Sequence, residues 1–237
     1  MKEEVSGKGN FVIGHSDVDL MIYDSEGNRI VRKQETNIGD FCADALRSFT
    51  DADIAMVNGG GIRTNIKRGE ILFNDLYNVM PFGDMIATGT FYGEQLLDVL
   101  EFAVSALPAE AGTFMQVSGL RFTVDPDIPS PVMKDTETGM FSHVGEGERR
   151  VSQVEILDKQ SGEYKAVELS RQYTIATLDY LILEQGGAGI LSCVKPDSIY
   201  WGADIEVLRH YLESVLGGNI GSEYTQPQGR IIYKYFN

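Results

Sequence analysis

Apolar positions along this chain switch repeatedly between a period of two and a period near 3.6, the signature of strands alternating with helices. Val18 to Tyr23 reads as a strand, closed by the turn Asp24-Ser25-Glu26-Gly27. Ile38, Phe41, Cys42, Ala45, Leu46 and Phe49 then recur at helical spacing, which predicts a helix with one buried face and Thr36 or Asn37 as its N-cap. Asp53 to Val57 is a short apolar strand that runs directly into Asn58-Gly59-Gly60-Gly61-Ile62-Arg63. Asn74 to Met80 predicts one short helix stopped by Pro81. Ile86 to Phe91 reads as a strand, and Leu96, Leu97, Leu100, Val104 and Leu107 form the buried face of a second amphipathic helix that Pro108 ends. Strands resume at Val151 to Leu157 and Arg171 to Thr177, and a third helix carries Ile205, Leu208, Leu212, Val215 and Leu216 up to Gly217-Gly218. Arg230 to Tyr235 is the last strand. The pattern predicts an α+β (mixed α/β) fold, mixed sheets with flanking amphipathic helices, as a single domain over residues 1–237.

Two stretches break the pattern. Residues 1–11 are expected as a flexible lead, and residues 125–150, rich in proline, glycine and charge, as a long surface loop or insertion. Composition adds little to the fold, since 43% hydrophobic and 23% charged residues are ordinary globular values. Charge changes the picture more. Twenty basic against 35 acidic residues give −15, a surface that repels phosphate backbones and argues against nucleic-acid binding. Any anionic ligand must then be held by a few locally placed cations. No run is long and apolar enough for a membrane span, and the first residues carry no apolar stretch of a signal peptide. The two cysteines, Cys42 and Cys193, are too few for a disulfide framework, and Cys42 falls on the apolar face of the first helix.

The candidate chemistry is that of binding. His15, Asp17 and Asp19 would share one face of a strand, but the reading favoured there is a solvated edge rather than a metal site. No Ser-His-Asp order, activated cysteine or phosphate-loop fingerprint stands out, so no catalytic residue is assigned. Three successive glycines leaving a buried strand let a ligand or another backbone approach closely, and Arg63 then offers a planar fork suited to phosphate or carboxylate. Arg32, just outside the first helix, is a second candidate cation, with a surface arginine as its plainer reading. Phe82, in Pro81-Phe82-Gly83-Asp84, and Tyr180, before Gly186-Gly187-Ala188-Gly189, sit at turns rather than on a core periodicity. Each is either a hydrophobic plug or a stacking platform.

Taken in order, Glu35-Thr36-Asn37-Ile38-Gly39-Asp40, Asn58-Gly59-Gly60-Gly61-Ile62-Arg63, Pro81-Phe82-Gly83, Thr177-Leu178-Asp179-Tyr180 and Gly229-Arg230-Ile231 resemble the motifs of the C-terminal, substrate-binding domain of the 5'-nucleotidase/UDP-sugar hydrolase family. The resemblance spans Val12 to Ile232 and implies that family's C-terminal-domain fold. It implies that Arg32 and Arg63 clamp a phosphate, that Asn58 hydrogen-bonds the base beside Gly60 and Gly61, and that Phe82 and Tyr180 sandwich it. It also implies two divalent metal ions in an N-terminal calcineurin-like metallophosphoesterase domain, whose signatures this chain lacks. That domain is expected in cis or in trans, and this chain alone is expected to be catalytically inactive and to hold no cofactor.

Two departures from the family pattern stand out. Ala188 occupies the position of an aspartate that grips ribose hydroxyls, and the interval from Tyr180 to Gly186 is longer by about two residues. The ribose contact is then absent, taken over by Glu184 or Gln185, or made to a ligand that is not an ordinary nucleoside. The leading expectation is the substrate-binding part of a secreted, cell-surface or periplasmic nucleotide hydrolase. The alternative is a stand-alone nucleotide- or nucleoside-binding module, and the resemblance leaves room for a homodimer.

Overall fold

The computed structural model describes residues 11–183 and 186–234. The described residues form a mixed α/β architecture of several mixed sheets with helices against them, as the sequence pattern predicts. A central five-stranded sheet runs β12 (Lys195–Ala203), β4 (Met85–Tyr92), β11 (Gln172–Leu178), β2 (Ile54–Asn58), β5 (Met115–Ser118). Only β11 and β2 pair parallel; the other neighbours are antiparallel. Every residue of β2 is buried, because this strand is covered on both faces, and its Ile-Ala-Met-Val run is apolar throughout for that reason.

Helix α1 (Asn37–Thr50) lies against β2 and β5. Thr36 is its N-cap, its Oγ1 accepting the Gly39 N–H at 3.1 Å, and the predicted apolar face, from Ile38 to Leu46, is fully buried. Helix α2 (Phe73–Val79) follows β3 (Gly69–Leu72), and α3 (Gly93–Ala103) follows β4. A second sheet runs β10 (Tyr164–Ala166), β9 (Val151–Leu157), β6 (Leu120–Val124), β14 (Ile231–Tyr233). A third places β1 (Val12–Ser16) between β13 (Asn219–Ile220) and β3.

Several expectations are corrected. The strand expected over Val18–Tyr23 is not one: the ladder is β1, earlier in the chain, and the later segment makes only the bridges Leu20–Ile66 and Tyr23–Arg29. Side-chain amides compete for its backbone, with Asn37 Oδ1 accepting the Met21 N–H and Asn65 Oδ1 the Ile22 N–H. His15, Asp17 and Asp19 therefore do not share a strand face; Asp19 instead accepts the Arg68 N–H and pairs with Lys67. The second helix stops at Ala103, short of Pro108, although Val104 and Leu107 remain buried. Residues 125–150 carry a hairpin, β7 (Val132–Lys134) with β8 (Phe141–Val144), whose Phe141 ring packs 4.7 Å from Phe102. The third helix is α5 (Asp204–His210), continued by a π-turn over Tyr211–Val215. Of the lead expected at 1–11, only Phe11 is described, its ring stacked on Phe73 at 5.5 Å; Tyr235 also lies outside the described residues.

Candidate functional site

β2 leaves the central sheet at Asn58, and the first two of the three glycines after it are required by close backbone approach. A Cβ at Gly59 would come within 2.1 Å of the Val31 carbonyl oxygen, and one at Gly60 within 2.9 Å of that of Gly112. Neither position needs a left-handed backbone, so crowding selects glycine here. The tight crossing presses the segment carrying Arg32 against the end of β2. Gln116, buried in β5, completes the fixing: its Nε2 donates to the carbonyls of Val31 and Gln34 at 2.9 and 2.7 Å, and its Oε1 accepts the Thr36 N–H at 3.0 Å.

Asn58, Gly60, Gly61, Phe82 and Tyr180 line one cleft of about 490 Å³, together with Asp84 and Ala188. That volume is in the ordinary range of small-molecule clefts. Phe82 and Tyr180 are 61% and 40% exposed, unlike the core aromatics, and their rings do not touch each other. Tyr180 lies over the glycine turn that follows it: a Cβ at Gly186 would approach its ring to 2.4 Å, and its hydroxyl accepts the Gly187 N–H at 3.4 Å. Gly187 and Ala188 both take left-handed backbone, with φ of 62° and 60°, a conformation that costs alanine on the order of 1 kcal/mol. Glu184 and Gln185 lie outside the described residues.

Arg32 and Arg63 do not line the cleft itself; they belong to a cluster of like charge beside it. The Arg63 guanidinium sits 5.9 Å from the centroid of the Phe82 ring, and its Nη1 donates to the Gly60 carbonyl at 3.0 Å. Burial, followed by the charges of Arg29 and Arg63, pushes the Arg32 guanidinium below its ordinary pKa, with Glu110 opposing weakly. Arg29 joins the group, donating from Nη2 to the Ile62 carbonyl at 3.3 Å. None of the three forms an ion pair among the described residues, and the Nε atoms of Arg29 and Arg32 are buried without a partner. Arg63 is exposed and Arg29 and Arg32 are half-buried, so the three form a local basic patch, open to solvent, in a chain of net charge −15. Arg29 was not singled out from the sequence; the available signal was a basic run, Arg29 to Lys33, in an acidic chain.

The turn that carries Phe82 is held from α5. The Asp204 N–H donates to the Asp84 carbonyl at 2.9 Å, and burial, with the Asp84 charge added, pushes the Asp204 carboxyl up to about 7. Among the described residues no group of three or more His, Cys, Asp or Glu is arranged to hold a metal ion. The fold thus brings two exposed rings, Phe82 and Tyr180, to one cleft, with a cluster of arginines beside it.

The sequence model described as "5'-nucleotidase, C-terminal domain" matches residues 12–194. The chain is 28% identical over 97% of its length to the trifunctional nucleotide phosphoesterase protein YfkN of Bacillus subtilis, of which it covers 14%. It is 29% identical over 94% of its length to the 5'-nucleotidase of Vibrio parahaemolyticus, covering 35% of that protein. Among solved structures, the 5'-nucleotidase precursor from Thermus thermophilus superposes with a TM-score of 0.75 at 27% identity, over 95% of this chain and 40% of that one. The chain thus spans well under half the length of these relatives.

Proposed function

The chain belongs to the 5'-nucleotidase C-terminal domain family, and from that premise we propose that it is the substrate-binding part of a nucleotide phosphohydrolase. The phosphate sits among Arg29, Arg32 and Arg63, and the base lies between Phe82 and Tyr180 with Asn58 at its edge. The observation that carries this reading is the trio of unpaired guanidiniums beside a cleft lined by two exposed rings. A dianion satisfies the trio, and bidentate guanidinium contacts suit phosphate oxygens. A heterocycle fills the slot, each ring contact contributing ~1–3 kcal/mol.

Hydrolysis is assigned to a metallophosphoesterase domain outside this chain, in cis or in trans, whose two divalent ions supply an activated water. This chain's residues bind and orient, holding the phosphate away from their own acidic surface until it meets that centre. The parent protein is proposed to work outside the cytoplasm; among the described residues no helix is long and apolar enough to cross a membrane.

Titration calorimetry with nucleoside 5'-monophosphates, the matching nucleosides and ribose 5-phosphate tests the reading. The nucleotides are expected to bind, with both the base and the phosphate contributing. A ligand at 100 times its Kd adds ~2.7 kcal/mol of stability, readable as a thermal shift. Absence of binding by every phosphate-bearing ligand overturns the proposal. Robust nucleotide hydrolysis by the purified chain, abolished by a chelator, overturns the assignment of the metals elsewhere.

A further inference from the structure

We propose that Asp179 is a positioning residue that sets the separation of Phe82 and Tyr180, one carboxylate oxygen holding both ring-bearing turns. The inference rests on the nucleotide-cleft reading above and concerns a residue that lines neither the cleft nor the arginine cluster.

The argument starts from the sheet. β11 and β4 pair in unbroken register from Gln172 opposite Tyr92 to Leu178 opposite Ile86. The next pair in that register is Asp179 with Met85. At Asp179, however, the chain turns into the short helix α4 (Asp179–Ile182), so its backbone no longer continues the ladder. An unpaired Met85 N–H at this point is expensive. Oδ1 of Asp179 accepts that N–H at 3.0 Å, and the same oxygen accepts the N–H of Tyr180 at 2.8 Å. Met85 lies three residues after Phe82, and Tyr180 directly follows Asp179. One atom therefore bridges the two turns that carry the two rings.

The consequence is a gauge for the slot. Dispersion contacts lose a quarter to a half of their strength for a radial gap of roughly 0.5–1 Å, so a stacking site depends on its wall spacing. The Phe82 turn is anchored on its other side by the Asp204 N–H to the Asp84 carbonyl, so loss of Asp179 frees the side that faces Tyr180. The arginines hang on other supports, namely Gln116, the 29–34 segment and the exit of β2. A change at Asp179 is therefore expected to act mainly on the base, its one link to the phosphate cluster being the Arg63 guanidinium 5.9 Å from the Phe82 ring centroid.

Asparagine keeps an Oδ1 acceptor, alanine removes it, and glutamate moves it outward by one methylene. The experiment measures Kd for a nucleoside 5'-monophosphate and for ribose 5-phosphate with the whole chain and its Asp179→Asn, Asp179→Ala and Asp179→Glu variants. Alanine and glutamate are each expected to weaken the nucleotide about tenfold, within the range of one stacking contact, and ribose 5-phosphate less than about twofold. Asparagine is expected to restore nucleotide affinity to within about threefold of the parent, because the acceptor and not the charge holds the turns. In a Phe82→Ala background Asp179→Ala is expected to have no further effect on the nucleotide. If alanine does not fold, the contrast between asparagine and glutamate decides. Equal weakening of both ligands, an asparagine variant as weak as glutamate, or no change in any variant overturns the positioning role while the cleft reading stands. A parent chain that binds the nucleotide no better than ribose 5-phosphate overturns the cleft reading, and this inference with it.

Discussion

Arg230 and Arg32 are both held next to β5, one through Val117 and the other through Gln116, yet their surroundings are opposite. Arg230 is buried and saturated. Its Nη1 donates to the Val117 carbonyl at 2.7 Å and lies 3.5 Å from Asp40, and its Nη2 reaches Asp44 at 2.8 Å. Asp44 in turn accepts from the Ser118 hydroxyl at 2.5 Å and the Tyr224 hydroxyl at 2.9 Å, while Glu35 accepts the Ile231 N–H at 2.7 Å. Through these bonds α1 is fastened to β5 and to the start of β14. Arg32, Arg29 and Arg63 form no ion pair among the described residues, the charge of Glu110 acting on Arg32 only from a distance. The fold supplies Arg230 with carboxylate partners and gives Arg29 and Arg63 only backbone carbonyls, and that difference is the ground on which the second group is proposed to bind an anion.

The sharpest way to break that contrast is to remove each kind of arginine and read stability and binding separately. Arg230→Ala leaves the Asp44 carboxylate and the Val117 carbonyl without their guanidinium, and unfolding by urea is expected to show a loss of about 3–5 kcal/mol. Arg32→Ala and Arg63→Ala are expected to leave stability unchanged or slightly raised, since each relieves repulsion by its neighbours. Each is expected to weaken phosphate-bearing ligands by about 1.5–3 kcal/mol, the range for a charge-assisted hydrogen bond. Equal stability losses from Arg230→Ala and Arg32→Ala would abolish the distinction.

The buried cluster also titrates, and the direction follows from its charges. Two carboxylates, Asp40 and Asp44, share one guanidinium, the charge of Glu35 acts on Asp40, and Asp40 is fully buried with Oδ1 lacking a hydrogen-bond donor. Burial first, then the charges of Glu35 and Asp44, push the Asp40 carboxyl up to about 8, with Arg230 and the Gln228 N–H acting against them. Its folded pKa lies above the unfolded value near 3.8, so the folded protein holds this proton more tightly. The contribution to stability is complete below about pH 3.8 and fades as pH rises through about 8. Asp40→Asn is expected to flatten the decline measured between pH 5 and pH 8, by roughly 1–3 kcal/mol, the cost of an ill-satisfied buried polar group. An unchanged slope would mean that the decline comes from the overall negative charge instead.

The two regions were not equally legible in the sequence. α1 was readable because Thr36 and the apolar spacing from Ile38 to Phe49 agree with each other, and every local signal there points to the same element. β1, β3 and β13 were not, because they are short, β1 and β3 carry a glycine, and all three gain their pairing from partners distant in sequence. Phe82 and Tyr180 could be singled out as rings at turns, and Arg63 as a fork after a glycine run. Arg29 could not, because its meaning lies in its distance from Arg32 and Arg63 and not in a motif. The Arg230 cluster was legible only as a terminal motif. Its partners Asp40 and Asp44 lie almost two hundred residues away, at positions where a helix pattern expects polar groups and gives no warning of burial.

The smallest effect expected concerns Ala188, where the site carries strain that the buried cluster does not. A non-glycine residue at φ 60° sits on the cleft wall, at the position where the motif resemblance implies an aspartate. Aspartate tolerates left-handed backbone better than alanine does, so Ala188→Asp is not expected to cost stability through its backbone. Ala188→Gly is expected to gain at most about 1 kcal/mol, strain relief being offset by the larger entropy of the unfolded glycine. With alanine in place, no carboxylate at this point grips the ribose hydroxyls, and 2'-deoxynucleotides are expected to bind within about twofold of ribonucleotides. Ala188→Asp is expected to create a several-fold preference for ribose, the scale of one exposed hydrogen bond at about 0.5–1.5 kcal/mol. Competition between the paired ribo- and deoxyribonucleotides measures both. A strong ribose preference in the parent chain that Ala188→Asp does not increase would place the sugar against another wall of the cleft.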